Sequence, residues 1–214
     1  MIKVENIEVF NFEGAMRGMR NPLQSHSKSD SWFDSDNPRR FELGENDLDL
    51  MRRLYKAGSE HRKFARSIFV SMDVTAPEFW WRQFDTYKIG TTENSKSFMH
   101  KGMSKEFELC DFGIELKESN SKDAFDDTCK LLINQLNTLR DLYLNENDVE
   151  KKEGIWRKIL FLLPQSYLYT RTITLNYENV FNMIRQRNNH KLLEWREFCG
   201  TLKELPYIKK IMSN

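Results

Sequence analysis

The segment that most constrains this chain spans residues 121–144, where Phe125, Cys129, Leu132, Leu136, Leu139 and Tyr143 recur at three- and four-residue steps. That spacing lines the apolar side chains along one face of an α-helix, and such a stripe has to be buried against other elements. The segment is therefore read as a core helix. A chain of 214 residues with 39% hydrophobic content is long enough to supply the rest of one substantial core.

Other segments carry weaker but readable signals. Ile2, Val4, Ile7, Val9, Phe10 and Phe12 alternate with polar residues and predict a first strand. Residues 20–40 are rich in Asn, Ser, Asp and Pro, with Trp32 and Phe33 as their main apolar side chains, and predict a long polar loop. A loop of that length is more often functional or partner-facing than idle. A helix is expected from Asn46, with Asn46 and Asp47 able to cap it, Leu48, Met51, Leu54 and Tyr55 on one face, and Gly58 at its end. Residues 67–74 read as a strand running into Thr75-Ala76-Pro77-Glu78, which has the form of a capping box with proline early in a helix. That helix carries Phe79, Trp80, Trp81, Arg82, Gln83 and Phe84, and residues 87–97 then predict a polar loop. After the charged stretch 145–153, a second helical segment reaches Leu163-Pro164; residues 167–175 follow, and then helices from about Tyr177 and Leu192.

Charge and motif content exclude several function classes. The 33 basic and 32 acidic residues give a net charge of +1, so no global field draws the chain to nucleic acid or to an anionic membrane. There is no run of about 18 apolar residues, and Met1-Ile2-Lys3-Val4-Glu5 places an acid where a signal peptide needs an apolar run. The chain is expected in the cytoplasm. Cys110, Cys129 and Cys199 are dispersed, form no CxxC pair and are expected to be reduced core thiols. Histidines stand only at 26, 61, 100 and 190, none at the i, i+4 spacing of a helical metal site, so no metal ligands are expected. No GxSxG elbow, GxxxxGK[ST] loop or GxGxxG turn occurs.

Val74-Thr75-Ala76-Pro77 followed by Arg82-Gln83-Phe84 resembles the strand-to-helix segment that precedes the signature loop of the flavin-dependent thymidylate synthases, the ThyX family. Residues 47–58, then Glu60 and Phe64, are similar to that family's helix, glycine and flavin-facing turn, with Ser59 where a His often stands. Leu163-Pro164, Tyr169-Thr170-Arg171, Asn176, Asn182 and Arg187 also resemble family positions, without a gap between them. Together the matches lie within residues 46–98 and 157–198.

The resemblance implies an α/β (α+β) fold with a mainly antiparallel sheet and a helical part, as one domain over residues 1–214. It also implies a homotetramer with sites shared between subunits, bound FAD, and reductive methylation of dUMP or a related pyrimidine nucleotide. Reduced nicotinamide (NADPH) and methylene tetrahydrofolate would be the co-substrates. Carried over, Asn176, Asn182 and Lys88 are flavin contacts, whereas Arg187, Gln83, Ser95 and Lys96 face the nucleotide, with Arg187 on its phosphate. A guanidinium clamps phosphate through two hydrogen bonds, and an Asn amide can both donate to and accept from a flavin ring edge. No catalytic residue is assigned, since the family uses no nucleophilic Cys.

The departures fall in the signature loop. The chain has Thr86-Tyr87-Lys88 where the family carries Arg-His-Arg, and Ser95-Lys96-Ser97-Phe98 where it carries Ser-x-Arg-Tyr. Leu160 stands where a nucleotide-binding Arg is expected, with Arg157 one helical turn earlier. Lys offers a point charge where Arg offers a planar fork. Three readings follow: an enzyme of ThyX type; a catalytically inactive ThyX-fold protein that binds a nucleotide, a flavin or a protein partner; and a structural or regulatory protein in which Trp80, Trp81 and Phe84 only pack.

Overall fold

The computed structural model describes residues 2–37, 40–98, 102–114 and 124–213. Its chain divides into two compact units. The first comprises Thr75–Gln83 and Ser95–Thr170; the second comprises Ile2–Val74, Phe84–Asn94 and Arg171–Asn214. The strands are β1 (Lys3–Phe10), β2 (Trp32–Phe33), β3 (Phe41–Glu42), β4 (Phe69–Pro77), β5 (Thr92–Ser95) and β6 (Leu168–Asn176). The helices are α1 (Phe12–Arg20), α2 (Glu45–Lys56), α3 (Glu78–Phe84), α4 (Ala124–Asn145), α5 (Val149–Leu162), α6 (Tyr177–Arg187), α7 (Leu193–Lys203) and α8 (Ile208–Met212). Helices and an antiparallel sheet make this the α+β architecture expected from the sequence.

In the first unit most of the apolar stripe of α4 packs as its spacing predicts, with Cys129 buried, whereas Phe125, at the start of the helix, is 59% exposed and lies outside that core. Leu136 is fully buried, and Leu132, Ile133, Leu139 and Tyr143 pack with Ile155, Ile159 and Leu163 of the α5 segment and with Phe107 and Phe112. The expected helix start at residues 121–123 lies outside the described residues. Asp148 caps α5 by accepting from the Lys151 amide at 3.0 Å, so half of the charged stretch 145–153 is helical. Asn137 clamps the backbone of Phe107, accepting its N–H at 2.7 Å and donating to its carbonyl at 3.0 Å. Trp80 and Trp81 are fully buried edge to face at 4.8 Å, and Trp81 donates its indole N–H to the Tyr169 carbonyl at 3.1 Å.

The expected capping box at Thr75–Glu78 is not formed. β4 runs on to Pro77 and α3 starts at Glu78. The Thr75 hydroxyl pairs instead with that of Thr170 at 2.8 Å, while the Glu78 and Phe79 amides donate to the Tyr167 and Gln165 carbonyls at 3.1 and 3.2 Å. Partners distant in the chain satisfied the groups that a local cap would have used, and a four-residue pattern cannot see such partners.

Most residues of the four-stranded sheet, in the order β1-β4-β6-β5, belong to the second unit. Asp73 on β4 joins its neighbours, accepting from Asn6 of β1 at 2.7 Å and from the Thr172 hydroxyl of β6 at 2.6 Å. β4 alternates buried and half-buried positions, with Val70, Met72 and Val74 at 0 to 1% exposure. In the same unit α6 packs on α7, and α8 packs on α7 and α2; Val180, Phe181, Trp195, Phe198, Ile208 and Ile211 of these helices are fully buried.

Five further expectations need correction. The first strand stops at Phe10, and Phe12 opens α1, where its ring stacks on Phe41 at 5.1 Å and meets Tyr177 and Tyr207 edge-on. Residues 20–40 are not simply a loop: they carry two 3-10 turns and β2, whose Trp32 and Phe33 pair with Glu42 and Phe41 of β3. Residues 87–97 contain β5, the edge strand next to β6. The helix expected from Asn46 starts at Glu45, and Asp47 does not cap it but is a fully buried carboxylate in its first turn. Cys129 and Cys199 are buried as expected, whereas Cys110 is exposed.

Candidate functional site

The second unit contains a cavity of about 730 Å³, within the range of small-molecule and cofactor sites. One wall is a face of α6. Asn176 as its N-cap, Asn179, Asn182 and Gln186 follow each other at steps of three, three and four residues and so share a helical face. The opposite wall is the backbone and side chains of residues 86–89, with Arg66 beside it.

The α6 wall is organised by its own capping. Asn176 accepts the Asn179 amide at 3.1 Å and Asn179 returns the bond to the Asn176 amide at 3.4 Å, a reciprocal box that starts the helix where β6 ends. Glu178, one of the lining residues, is held as a two-point ion pair by Arg62 at 2.7 and 2.9 Å. Arg62 also donates to the Asn182 side-chain oxygen at 3.2 Å and lies over the rings of Tyr55 and Phe181. This fixes the direction of the Asn182 amide: its oxygen faces Arg62, and its NH₂ group is left for other partners.

The facing loop is tied down along its length. Arg171 on β6 donates from one nitrogen to both Asp85 at 2.9 Å and Glu93 at 2.7 Å, gripping the two ends. In the middle the Ile89 carbonyl accepts from the Asn179 amide group at 2.9 Å. Gly90 has φ +75°, and a Cβ there would come within 2.6 Å of the Asn176 Nδ2. Only glycine permits both that backbone conformation and that close approach. Lys88 is exposed on the rim with Arg66, and Glu178 is already neutralised, so the cavity presents net positive charge.

The sequence-predicted residues distribute as follows. Lys88, Asn176 and Asn182 line this cavity together. Arg187 does not line it. Its guanidinium lies 5.1 Å from the Trp195 ring and 5.8 Å from the Tyr87 ring, and its Nε donates to the Tyr87 hydroxyl at 3.1 Å. Nearby His190 accepts the Leu192 amide on Nδ1, and burial followed by the charges of Arg187, Arg196 and Lys191 holds its pKa below the ordinary value.

Gln83, Ser95 and Lys96 belong to the first unit. Gln83 is half-buried on α3; Ser95 ends β5, its hydroxyl on the Lys96 carbonyl at 3.1 Å; and the Lys96 amide donates to Thr170 at 3.0 Å. Lys96 lines a separate cavity of about 320 Å³ with Ser97, Lys105, Tyr167 and Tyr169. There Lys105 pairs with Asp111 at 2.6 Å, and burial, reinforced by Asp111 and Tyr169, pushes the Tyr167 phenol up to about 12.

Sequence reasoning missed Asn179, Glu178, Arg62 and Tyr87. The three-residue step from Asn176 to Asn182 passes through Asn179, and that periodicity was available as a signal; the Arg62 partnership, 116 residues away in the chain, was not.

No protein-family model matches the chain, and no curated protein matches it in sequence. Solved structures do match it. A crystal structure of thymidylate synthase X (ThyX) from Helicobacter pylori with FAD and dUMP gives a TM-score of 0.67 at 17% identity, covering 98% of this chain and 96% of that one. A second, flavin-dependent thymidylate synthase ThyX from Helicobacter pylori complexed with FAD and dUMP, gives 0.66 at 17% identity and covers 98% of each chain. The chain therefore has a ThyX-like fold.

Proposed function

We propose, from this ThyX-like fold, that the chain is a flavin-dependent protein acting on a pyrimidine nucleotide, with reductive methylation of dUMP as its reaction. NADPH and methylene tetrahydrofolate are its co-substrates in this reading. The observation that carries it is the amide face of Asn176, Asn179, Asn182 and Gln186 on a cavity of about 730 Å³ rimmed by Lys88 and Arg66. The side-chain oxygens of these amides are engaged inside the protein, so Asn176, Asn182 and Gln186 present pre-oriented NH₂ groups, which match the acceptor atoms of an isoalloxazine edge at little entropic cost. Two rim cations suit the diphosphate of FAD. The fit is thus to the donor set as well as to the volume.

Bound FAD would supply hydride chemistry; the chain's own residues bind, orient and exclude water. Asn182, its oxygen occupied by Arg62, offers its NH₂ group to a ring carbonyl. Asn176 is committed to the α6 cap through its oxygen and offers the same donor type. Lys88 and Arg66 hold anionic groups at the rim, and Arg187 meets the nucleotide phosphate.

We take the whole chain as a single functional domain, since the likeness to the solved structures extends over 98% of it. A homotetramer belongs to the same reading. α4 and α5 expose Leu131 at 61%, Val149 at 81% and Phe161 at 79%, apolar surface of the kind that subunit interfaces cover. Among the described residues no helix is long and apolar enough to cross a membrane, and the cytoplasm, where the pyrimidine nucleotides are, is the proposed location.

A second reading, binding without turnover, is supported by one observation: Ser95-Lys96-Ser97-Phe98 offers no arginine to polarise the pyrimidine, and Lys96 is exposed just past β5. Both readings meet one experiment. The absorbance of purified protein between about 300 and 550 nm is recorded, FAD and then dUMP are titrated in, and dTMP formation is assayed. Flavin bands that respond to dUMP with product formed support the enzyme; responsive bands without product support the binding protein. A protein that takes up neither ligand refutes both.

A further inference from the structure

Tyr87 joins the cavity wall to a cation that the cavity does not contain. Tyr87 and Gln186 both line the cavity. The Tyr87 hydroxyl donates to the Gln186 side-chain oxygen at 2.7 Å and accepts from the Arg187 Nε at 3.1 Å. The phenolic proton thus points at Gln186, and the oxygen lone pair is turned to Arg187. The Tyr87 and Trp195 rings, 5.9 Å apart, form two sides of a triangle with the guanidinium.

This arrangement leaves Arg187 with a defined unused valence. Two rings steady the guanidinium and Nε is occupied, but no carboxylate among the described residues pairs with Arg187. Its Nη1 and Nη2 groups remain as an end-on fork of N–H donors, the geometry that grips two oxygens of one oxyanion. A guanidinium half-buried against rings and not neutralised attracts an anion more strongly than a freely hydrated one.

We infer that Tyr87 is a positioning residue: it claims the Nε of Arg187 and thereby presents the Nη1–Nη2 fork to the phosphate of the nucleotide. The inference rests on the proposed reading that Arg187 meets that phosphate. It assigns a role to the position where the resemblance shows only a lost His. The role differs from plain packing because it requires the hydroxyl, not the ring.

The test uses the full chain and three probes, dUMP, deoxyuridine and inorganic phosphate, with calorimetry on wild type, Tyr87→Phe, Arg187→Ala and the double variant. Tyr87→Phe keeps the ring and removes only the hydroxyl. It is expected to weaken dUMP and inorganic phosphate about tenfold, the scale of one hydrogen bond to a charged group, while leaving deoxyuridine unchanged. Arg187→Ala should erase the advantage of dUMP over deoxyuridine, and Tyr87→Phe should add nothing in that background. If Arg187→Ala loses dUMP but Tyr87→Phe binds it as wild type does, the positioning role is overturned and the phosphate reading stands. Equal weakening of dUMP and deoxyuridine by Tyr87→Phe also overturns it, since that is packing damage. If wild type binds neither dUMP nor phosphate, or Arg187→Ala binds both unchanged, the phosphate reading itself is at fault and the inference falls with it.

Discussion

Replacing Asp47 should cost this protein more stability than replacing the arginine that pairs with it. The carboxylate is fully buried in the first turn of α2, and Arg20 is 3% exposed. One oxygen of Asp47 accepts from the Arg20 Nε at 2.6 Å; the other accepts the hydroxyls of Ser31 and Ser29 at 2.6 and 2.8 Å and the amides of Asp30 and Ser31 at 3.2 Å. Arg20 has fewer alternatives: Nη1 reaches the Ser25 carbonyl at 3.2 Å, and Nη2 is buried with no partner. Asp47→Ala leaves a buried, uncompensated guanidinium and removes the anchor of residues 29–31, a loss on the order of 3–5 kcal/mol. Arg20→Met leaves the carboxylate with four donors and should cost about 1–3 kcal/mol. The pair Arg20→Met with Asp47→Leu should recover most of the Asp47→Ala loss, because apolar replacement of a buried ion pair is often near neutral. Urea unfolding followed by far-ultraviolet circular dichroism measures all three, and limited proteolysis of residues 21–43 reports on the anchor. Asp47→Ala within about 1 kcal/mol of wild type, or Arg20→Met costing more than Asp47→Ala, would refute the reasoning.

Asp47 also sets a pH dependence. Burial alone would raise its pKa, but hydrogen bonds from Ser31, Ser29 and Arg20 outweigh that and hold the carboxyl below its ordinary value. The folded value is depressed, so the stabilisation is present above the unfolded value of about 3.9 and lost as pH falls through the lower folded value. Acid unfolding below about pH 4 should therefore be less steep in Arg20→Met/Asp47→Leu than in wild type, as circular dichroism against pH will tell. Asn176→Ala removes the reciprocal cap of α6 and should lower stability by about 1 kcal/mol in chemical unfolding, with weaker FAD uptake. At Gly90, alanine meets both the φ of +75° and the 2.6 Å approach to Asn176, so Gly90→Ala should displace the facing loop and weaken FAD by tenfold or more at a stability cost of about 1–2 kcal/mol; unchanged FAD affinity would separate that loop from the site. In thiol titration at pH 8, exposed Cys110 should react in the native protein, whereas Cys129 and Cys199, the latter pushed up to about 11 by burial, should react only on unfolding.

Local patterns carried much of the fold. The apolar steps of α4, the buried alternation of β4, and the positions of α2, α6 and α7 follow from side-chain periodicity, which a single segment contains in full. The corrections cluster where partners come from elsewhere in the chain. The four-residue context of Thr75 permits a cap, yet its hydroxyl pairs with Thr170, 95 residues on. β5 has no apolar alternation and is a strand only because β6 lies beside it.

The candidate site divides in the same way. The sequence by itself determined the helix that carries Asn176, Asn182 and Arg187, because capping and periodicity are properties of neighbours along the chain. Only the tertiary structure decided that Asn182 is turned by Arg62, that Arg171 grips both ends of the facing loop, and that Arg187 stands in a ring triangle built by Tyr87 and Trp195. Hydrogen-bond direction and charge neutralisation depend on which groups meet at about 3 Å, and chain order does not encode those meetings until the core has closed.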